Sequence, residues 1–345
     1  MKKPKEQPAI EPGQHWIVDL FRPEDAEGVV RLFLAVYGEK YPIRTYVEPE
    51  RLKEENAKGL TISSVARTET GDIVGHNALF RSAPHDGIYE SGAGLVDAGY
   101  RGGKGVFTRL VAHGQEVAAH KFGIEAIYGE SVCSHVFSQK MCHGLGWITH
   151  AVQVDLMPAS AYEKEKSAEG RVSVLLDVKT LRSGPHPVHI PYAYQKPLTF
   201  IYEGLDDERR FLSSEKGLSP NTKTRMQVEI FDFAQVARVA VHEAGYDFAS
   251  VFDKLEQDLK KKDVRVVQVW LNLAWPWIGA AVDILRERRF FLGGLLPRWF
   301  ETDGLLMQKT VRQPNWEGVH LHFQRAQRLL EMVEEDWKKV GGPGE

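Results

Sequence analysis

Apolar residues follow two rhythms along this chain. Val29, Val30, Leu32, Phe33, Val36 and Tyr37 recur at helical spacing behind Arg22-Pro23-Glu24-Asp25, whose proline and acids suit a first turn. This stretch therefore predicts a helix with one buried face. Short apolar or alternating runs predict strands at 15–20, 60–67, 72–81, 87–97, 124–132 and 147–156. Glu69-Thr70-Gly71-Asp72 separates the second and third of these as a hairpin turn would. Val106, Leu110, Val111, Val117 and Ala118 give a helix running to Lys121, and a short helix follows at 138–145. Strand, helix, a possible second helix, three strands, helix, strand, helix, strand is an α/β (α+β) order. It predicts a mixed, mostly antiparallel sheet flanked by helices on both faces.

Residues 158–170 are charged and weakly patterned, 171–181 alternate like a strand, and Ser183-Gly184-Pro185-His186-Pro187 breaks the chain again. A domain boundary is expected over 158–187. Beyond it the order of 103–156 returns: strand-like stretches at 226–241, a helix at 247–262, a strand at 264–273, a helix at 276–288 and a strand at 304–311. Gly293-Gly294-Leu295-Leu296-Pro297 reads as a helix C-cap and turn. Residues 1–14 read as a disordered lead and 318–345 as a charged helix, from Gly318 to Val340, with a glycine-rich tail. The division expected is 15–157, 158–187 as linker and bridging strand, and 188–317, which suits 345 residues.

Net charge is −3, so no global basic field points to nucleic acid or anionic membrane, and any cationic site is local. Two cysteines, Cys133 and Cys142, make neither a CxxC metal knuckle nor a disulfide scaffold. Free thiols suit a reducing cytosol. The charged start and its prolines do not read as a signal peptide, and no run of 18 apolar residues reads as a membrane span. The expectation is a cytoplasmic monomer or homodimer that binds no metal, nucleic acid or membrane.

The strongest chemical signal is Leu95-Val96-Asp97-Ala98-Gly99-Tyr100-Arg101-Gly102-Gly103-Lys104-Gly105-Val106-Phe107. A strand ends, glycines make a tight turn, and a helix begins. Glycines let consecutive amides point into one concavity, and the helix adds the positive end of its dipole, which together suit a phosphate. Arg101 and Lys104 add charge at the rim. A glycine-rich turn without a ligand is the bland alternative. Neither a Walker loop nor GxGxxG with its downstream acid is present.

This stretch resembles the acyl-CoA loop of the GNAT superfamily of N-acyltransferases, usually Arg/Gln-x-x-Gly-x-Gly/Ala. The run from Ser134-His135 through Ser138 and Cys142 to Gly146-Trp147 resembles that family's next motif. The resemblance covers about 15–157. It implies a fold with splayed central strands admitting the pantetheine arm, and transfer of an acyl group, from acetyl-CoA or another acyl-CoA, to an amine. It also implies cofactor contacts from Gly94, Leu95, Val96, Arg101, Gly102, Gly103, Lys104, Gly105, Val106, Phe107, His135 and Ser138. The sequence departs from the family at four points. Arg101 to Gly105 is one residue longer than usual, and Phe107 stands where a small residue is common. His135 replaces a frequent Asn, and Cys142 replaces the Tyr that in many relatives protonates the leaving thiolate.

Transfer to an amine needs a base and a proton donor. Glu90, on the strand feeding the loop, is the first candidate base. Alternation would put Gly92 and Gly94 on its face and leave room for substrate. Glu130 at the end of the next strand is the second, and His135 could act on a proton or contact pantetheine. Each has a plain alternative: an exposed or ion-paired strand residue for the two glutamates, a helix cap for His135. Cys142 reads as a helix-core thiol rather than a nucleophile, and Tyr128 as core. Five tryptophans, Trp270, Trp275, Trp277, Trp299 and Trp316, read as core packing before an aromatic substrate wall. In the second half Val241–Tyr246 stands where a second CoA loop would be, with one glycine and no cation. That half resembles a degenerate GNAT copy, so one acyl-CoA per chain is expected. A non-catalytic acyl-CoA sensor is the rival reading, because Cys142 leaves the usual acid missing.

Overall fold

The computed structural model describes residues 10–341 apart from 39–40, 42, 104, 163–168, 206–207 and 215. The chain divides into two compact units, one of residues up to 82 with 86–127, the other of 83–85 with 128–345. Among the described residues no helix is long and apolar enough to cross a membrane.

The first unit begins with β1 (Trp16–Leu20), α1 (Ala26–Tyr37), α2 (Pro49–Ala57), β2 (Thr61–Thr68), β3 (Ile73–Phe80) and β4 (Ile88–Val96). α3 (Val106–His113), a π-helical turn at Gly114–Ala118 and α4 (Ala119–Phe122) follow as one continuous helix. The strands pair antiparallel in the order β1-β2-β3-β4. Val65, Ile73 and Leu95 pack with the buried face of α1, whereas their sequence neighbours Ala66, Val74 and Val96 pack with Val106 and Leu110 of α3. Strand side chains alternate between faces, so α1 and α3 cover opposite sides of this sheet. Gly75 sets the approach of α3, because a side chain there would collide with Val106 and Leu110.

β5 (Ala126–Val132) carries the chain into the second unit. There α5 (Phe137–Gly144), β6 (Ile148–Met157), β7 (Val172–Thr180), β8 (His186–Ile190), α6 (Gln195–Tyr202) and β9 (Arg209–Ser213) come first. They are followed by β10 (Arg225–Phe231), β11 (Val236–Glu243), α7 (Phe248–Lys261), β12 (Val266–Asn272), α8 (Ile278–Glu287), β13 (Phe291–Leu296), β14 (Gly304–Thr310) and α9 (Gln324–Lys339). The strand order β5-β7-β6-β13-β14-β12-β11-β10 mirrors itself about the β6–β13 contact. The element order β11-α7-β12-α8-β13-β14 repeats β4-α3-β5-α5-β6-β7; the sequence pattern predicts α7, β12, α8 and the strand at 304–311 but not β13.

Four expectations are corrected. The compact units part at 127/128 rather than over 158–187, because β6 pairs with β7 and also meets β13 at Gly294 and Ala151. Gly293 and Gly294 lie inside β13 instead of in a turn; a side chain at Gly294 would run into the backbone of His150 and Ala151. The last helix starts at Gln324 rather than Gly318, since the amides of His320 and His322 are already bonded to Cys133 O (2.8 Å) and Gln139 Oε1 (3.1 Å). Of the expected lead, 1–9 lie outside the described residues. Glu11 and Gln14 are tied down, with Tyr100 donating to Glu11 O (2.7 Å) and Gln14 N to the Tyr100 hydroxyl (3.2 Å).

Candidate functional site

β4 ends at Val96, and Asp97 closes the turn by accepting from Gly99 N at 2.9 Å. Tyr100 is buried and anchors the turn, while Arg101 is exposed and donates from Nε to Val96 O at 2.8 Å. Gly102, Gly103 and Gly105 follow with φ of +77°, +87° and +68°, the left-handed region that glycine enters without steric cost. A side chain built on any of the three would meet no heavy atom within 4 Å. Crowding therefore does not explain these glycines; their conformation and the open space beside them do. Gly105 is the N-cap of α3, whose Val106 and Leu110 are buried, so the open turn lies at the positive end of an anchored helix. This is the arrangement in which amides and a helix dipole converge on an anion. Lys104 lies outside the described residues. The π turn further along this helix, a feature that favours functional regions, was not legible in the apolar spacing.

Upstream, the alternation assumed around Glu90 breaks. His76 stands opposite Leu95 and Ala78 opposite Gly92, so Asn77 faces both Ala93 and Gly94. This is a β-bulge, and Ala93 sits in it with φ of +49°. The room expected beside Glu90 is taken by aromatic rings. A side chain on Gly92 would lie 3.0 Å from Phe80, and one on Gly94 would collide with Phe107. Glu90 is half-buried and accepts from Ser82 Oγ at 2.7 Å. Leu95 is buried with the α1 face and Val96 with the α3 face.

The other candidates belong to the second unit. Glu130 is ion-paired with Arg238 (2.8 Å) and accepts from Gln153 Nε2 (3.0 Å), and Gln153 accepts from Gln268 (2.7 Å). The guanidinium of Arg238 also lies 5.3 Å from the Phe231 ring and 5.7 Å from that of Trp270. A carboxylate so engaged is a structural anchor before it is a base. His135 precedes Val136, the N-cap of α5, and its Nδ1 accepts from Phe137 N at 3.4 Å. Ser138 Oγ and Ser134 Oγ are both buried and lack a hydrogen-bond partner among the described residues. Cys142 is buried over Ser131 and Asp177, and burial pushes its thiol up to about 12, so it stays protonated and is no thiolate nucleophile at neutral pH. Tyr128 packs on Trp299 at 4.8 Å, and Trp299 meets Trp270 edge-on at 5.2 Å, as core residues do.

The loop equivalent to the glycine turn is filled in the second half. Gly245 N donates to Thr224 Oγ1 (3.1 Å), Tyr246 N to Thr222 O (3.1 Å), and Asp247 Oδ1 accepts from Thr224 N (2.7 Å). The chain itself occupies the amides that a phosphate would use. Sequence reading found no signal for Ser82, Gln153 or Arg238, whose partners Glu90 and Glu130 lie on other elements. Gln139 is another such residue: it bonds Val132 O, His135 O and His320 O, and ties α5 to 320–322.

No family model matches the sequence, and no curated protein sequence matches it. Solved structures do. The ribosomal-protein-S5-alanine acetyltransferase of Vibrio fischeri aligns over 49% of this chain and 94% of its own, with 16% identity and a TM-score of 0.39. The ribosomal-protein-alanine N-acetyltransferase of Brucella melitensis aligns over 48% and 99%, with 18% identity and a TM-score of 0.38. A Salmonella typhimurium protein solved with its cofactor acetyl-CoA aligns over 49% and 96%, with 16% identity and a TM-score of 0.39. Each match spans about half of this chain and nearly all of the other protein.

Proposed function

We propose that this protein is an acyl-CoA-dependent N-acyltransferase that uses acetyl-CoA or a close relative and acylates a primary amine by direct attack. The observation that carries the reading is the open turn of Gly102, Gly103 and Gly105, left-handed at all three positions and set at the N-terminus of α3. It suits the CoA pyrophosphate, with Arg101 beside it. In the reaction a base takes a proton from the acceptor ammonium and the free amine attacks the thioester carbonyl. The C–S bond then breaks, and the thiolate takes a proton. Glu90, on the strand that feeds the loop, is the residue we assign as base. Cys142 stands buried where the resembling family often keeps its tyrosine acid, so we take the thiolate's proton to come from solvent or from another group. The second half binds no CoA of its own.

Cys142, buried where the resembling family usually keeps its acid, also favours a second reading, a sensor that binds acyl-CoA without turning it over. Titration with acetyl-CoA, followed by thiol release assays over an amine panel, tests both. Binding with turnover supports the enzyme, binding without turnover supports the sensor, and no binding removes both.

A further inference from the structure

We propose that His76 is a positioning residue of the acyl-CoA site, holding the β4 bulge at Ala93 and, through Gly94 and Phe107, the first turn of α3. The inference rests on the acyl-CoA reading above and adds a residue outside both glycine-loop and α5 motifs.

A residue with a side chain adopts φ of +49° in a strand only when its surroundings hold it there. Here the holder is visible. The His76 ring is fully buried, with Nδ1 2.9 Å from Ala93 O and Nε2 3.0 Å from Ser63 Oγ. A carbonyl only accepts, so Nδ1 carries the hydrogen, and the Nε2 lone pair then accepts the Ser63 hydroxyl. Burial brings the imidazole down to about 4, so the ring is neutral at pH 7. Neutral, it can satisfy both partners in a single tautomer. The rings of Phe33 and Tyr46 stand edge-on to it, each at 5.4 Å, and fix its plane. Asn77, the next residue, donates to Ser91 Oγ at 3.0 Å and pins β4 on the other side of the bulge.

The consequence lies one residue on. Gly94 packs directly under Phe107, and Phe107 belongs to the first turn of α3, two residues after Gly105. A shift of Ala93 is thus passed through Gly94 and Phe107 to the start of the helix that caps the glycine turn. Without His76 the bulge loses its only side-chain bond to the Ala93 carbonyl among those described, and the turn loses its fixed backing.

The test uses the full chain and acetyl-CoA. His76→Leu keeps bulk without a donor, His76→Asn keeps a donor, and Ser63→Ala leaves the ring but frees the tautomer. In folded protein, His76→Leu is expected to weaken acetyl-CoA binding at least about tenfold by calorimetry, with His76→Asn recovering most of it and Ser63→Ala intermediate. Folded His76→Leu binding as tightly as wild type overturns the proposal, as do equal losses in His76→Leu and His76→Asn, which mark packing alone. Should His76→Leu fail to fold, Ser63→Ala decides: a loss supports the proposal and undiminished affinity overturns it. Should the wild type bind no acetyl-CoA, the functional reading fails, and the amide resonances of Gly94 and Phe107 decide this one. They are expected to move in His76→Leu and hold in His76→Asn; resonances that hold in both overturn it.

Discussion

The ring of Phe107 fills the space that a side chain at Gly94 would need. Resemblance alone marks Phe107 as a departure, because relatives commonly keep a small residue there. In this chain the bulk on α3 is matched by a glycine on β4. Gly94→Ala should therefore destabilise the protein by about 1–3 kcal/mol through overpacking. Phe107→Ala in the same chain should relieve much of that cost, with a coupling of at least about 1 kcal/mol in a double-mutant cycle. Urea denaturation of the four proteins measures it, and additive effects would mean the two residues do not share this space.

Turnover should depend on Glu90. Loss of a general base typically costs about 100- to 10,000-fold, so Glu90→Gln should lower turnover at least about tenfold while acetyl-CoA affinity stays intact. Undiminished turnover would move the role elsewhere, and Glu130 is poorly placed to inherit it while paired with Arg238. A loss of affinity instead would make Glu90 structural, through its bond with Ser82.

Binding should saturate at one acyl-CoA per chain. Thr222 and Thr224 already take the amides of Tyr246 and Gly245 in the second half. Calorimetry of the full chain with acetyl-CoA reads the stoichiometry directly, and two sites would contradict the assignment.

What the sequence made legible was local. The glycine turn, the helix it starts and the strand before it follow from neighbouring residues, and so does the order of the elements up to residue 156, because periodicity is a short-range property. Tertiary features stayed hidden. Nothing near Ala93 announces a left-handed residue; the conformation is imposed by His76 from the adjacent strand. Glu130 stayed open between a base and an ion-paired strand residue because its partner, Arg238, lies 108 residues away. Gly293-Gly294 carries the composition of a turn, yet sits in a fully buried strand, where Leu306 of β14 leaves no room for a side chain at Gly293 and the backbone of β6 none at Gly294.

Acid should weaken the fold through buried histidines. Burial lowers His76 from 6.5 to about 4 and His150 to about 3. Between those values and pH 6.5 the unfolded chain binds protons that the native state does not, so these two groups make stability fall as pH drops through this window. Asp155 works the other way, since burial raises its carboxyl to about 6 and the native state keeps a proton there that the unfolded chain has released. His150→Gln should reduce the slope of unfolding free energy against pH between about 4 and 6.5 by roughly one proton, about 1.4 kcal/mol per pH unit. Urea melts across that range check it, and an unchanged slope would show that His150 is not held neutral.

The account stands on the glycine turn. Gly103→Val and Gly105→Val put a β-branched side chain where φ is +87° and +68° and where the open face would meet a phosphate. Isothermal titration of acetyl-CoA into the wild type and both variants is the most direct measurement. The expected result is saturable binding by the wild type and none by either variant, with circular dichroism showing the fold largely kept. Unchanged acetyl-CoA affinity in both variants would contradict the assignment of this turn as the acyl-CoA site.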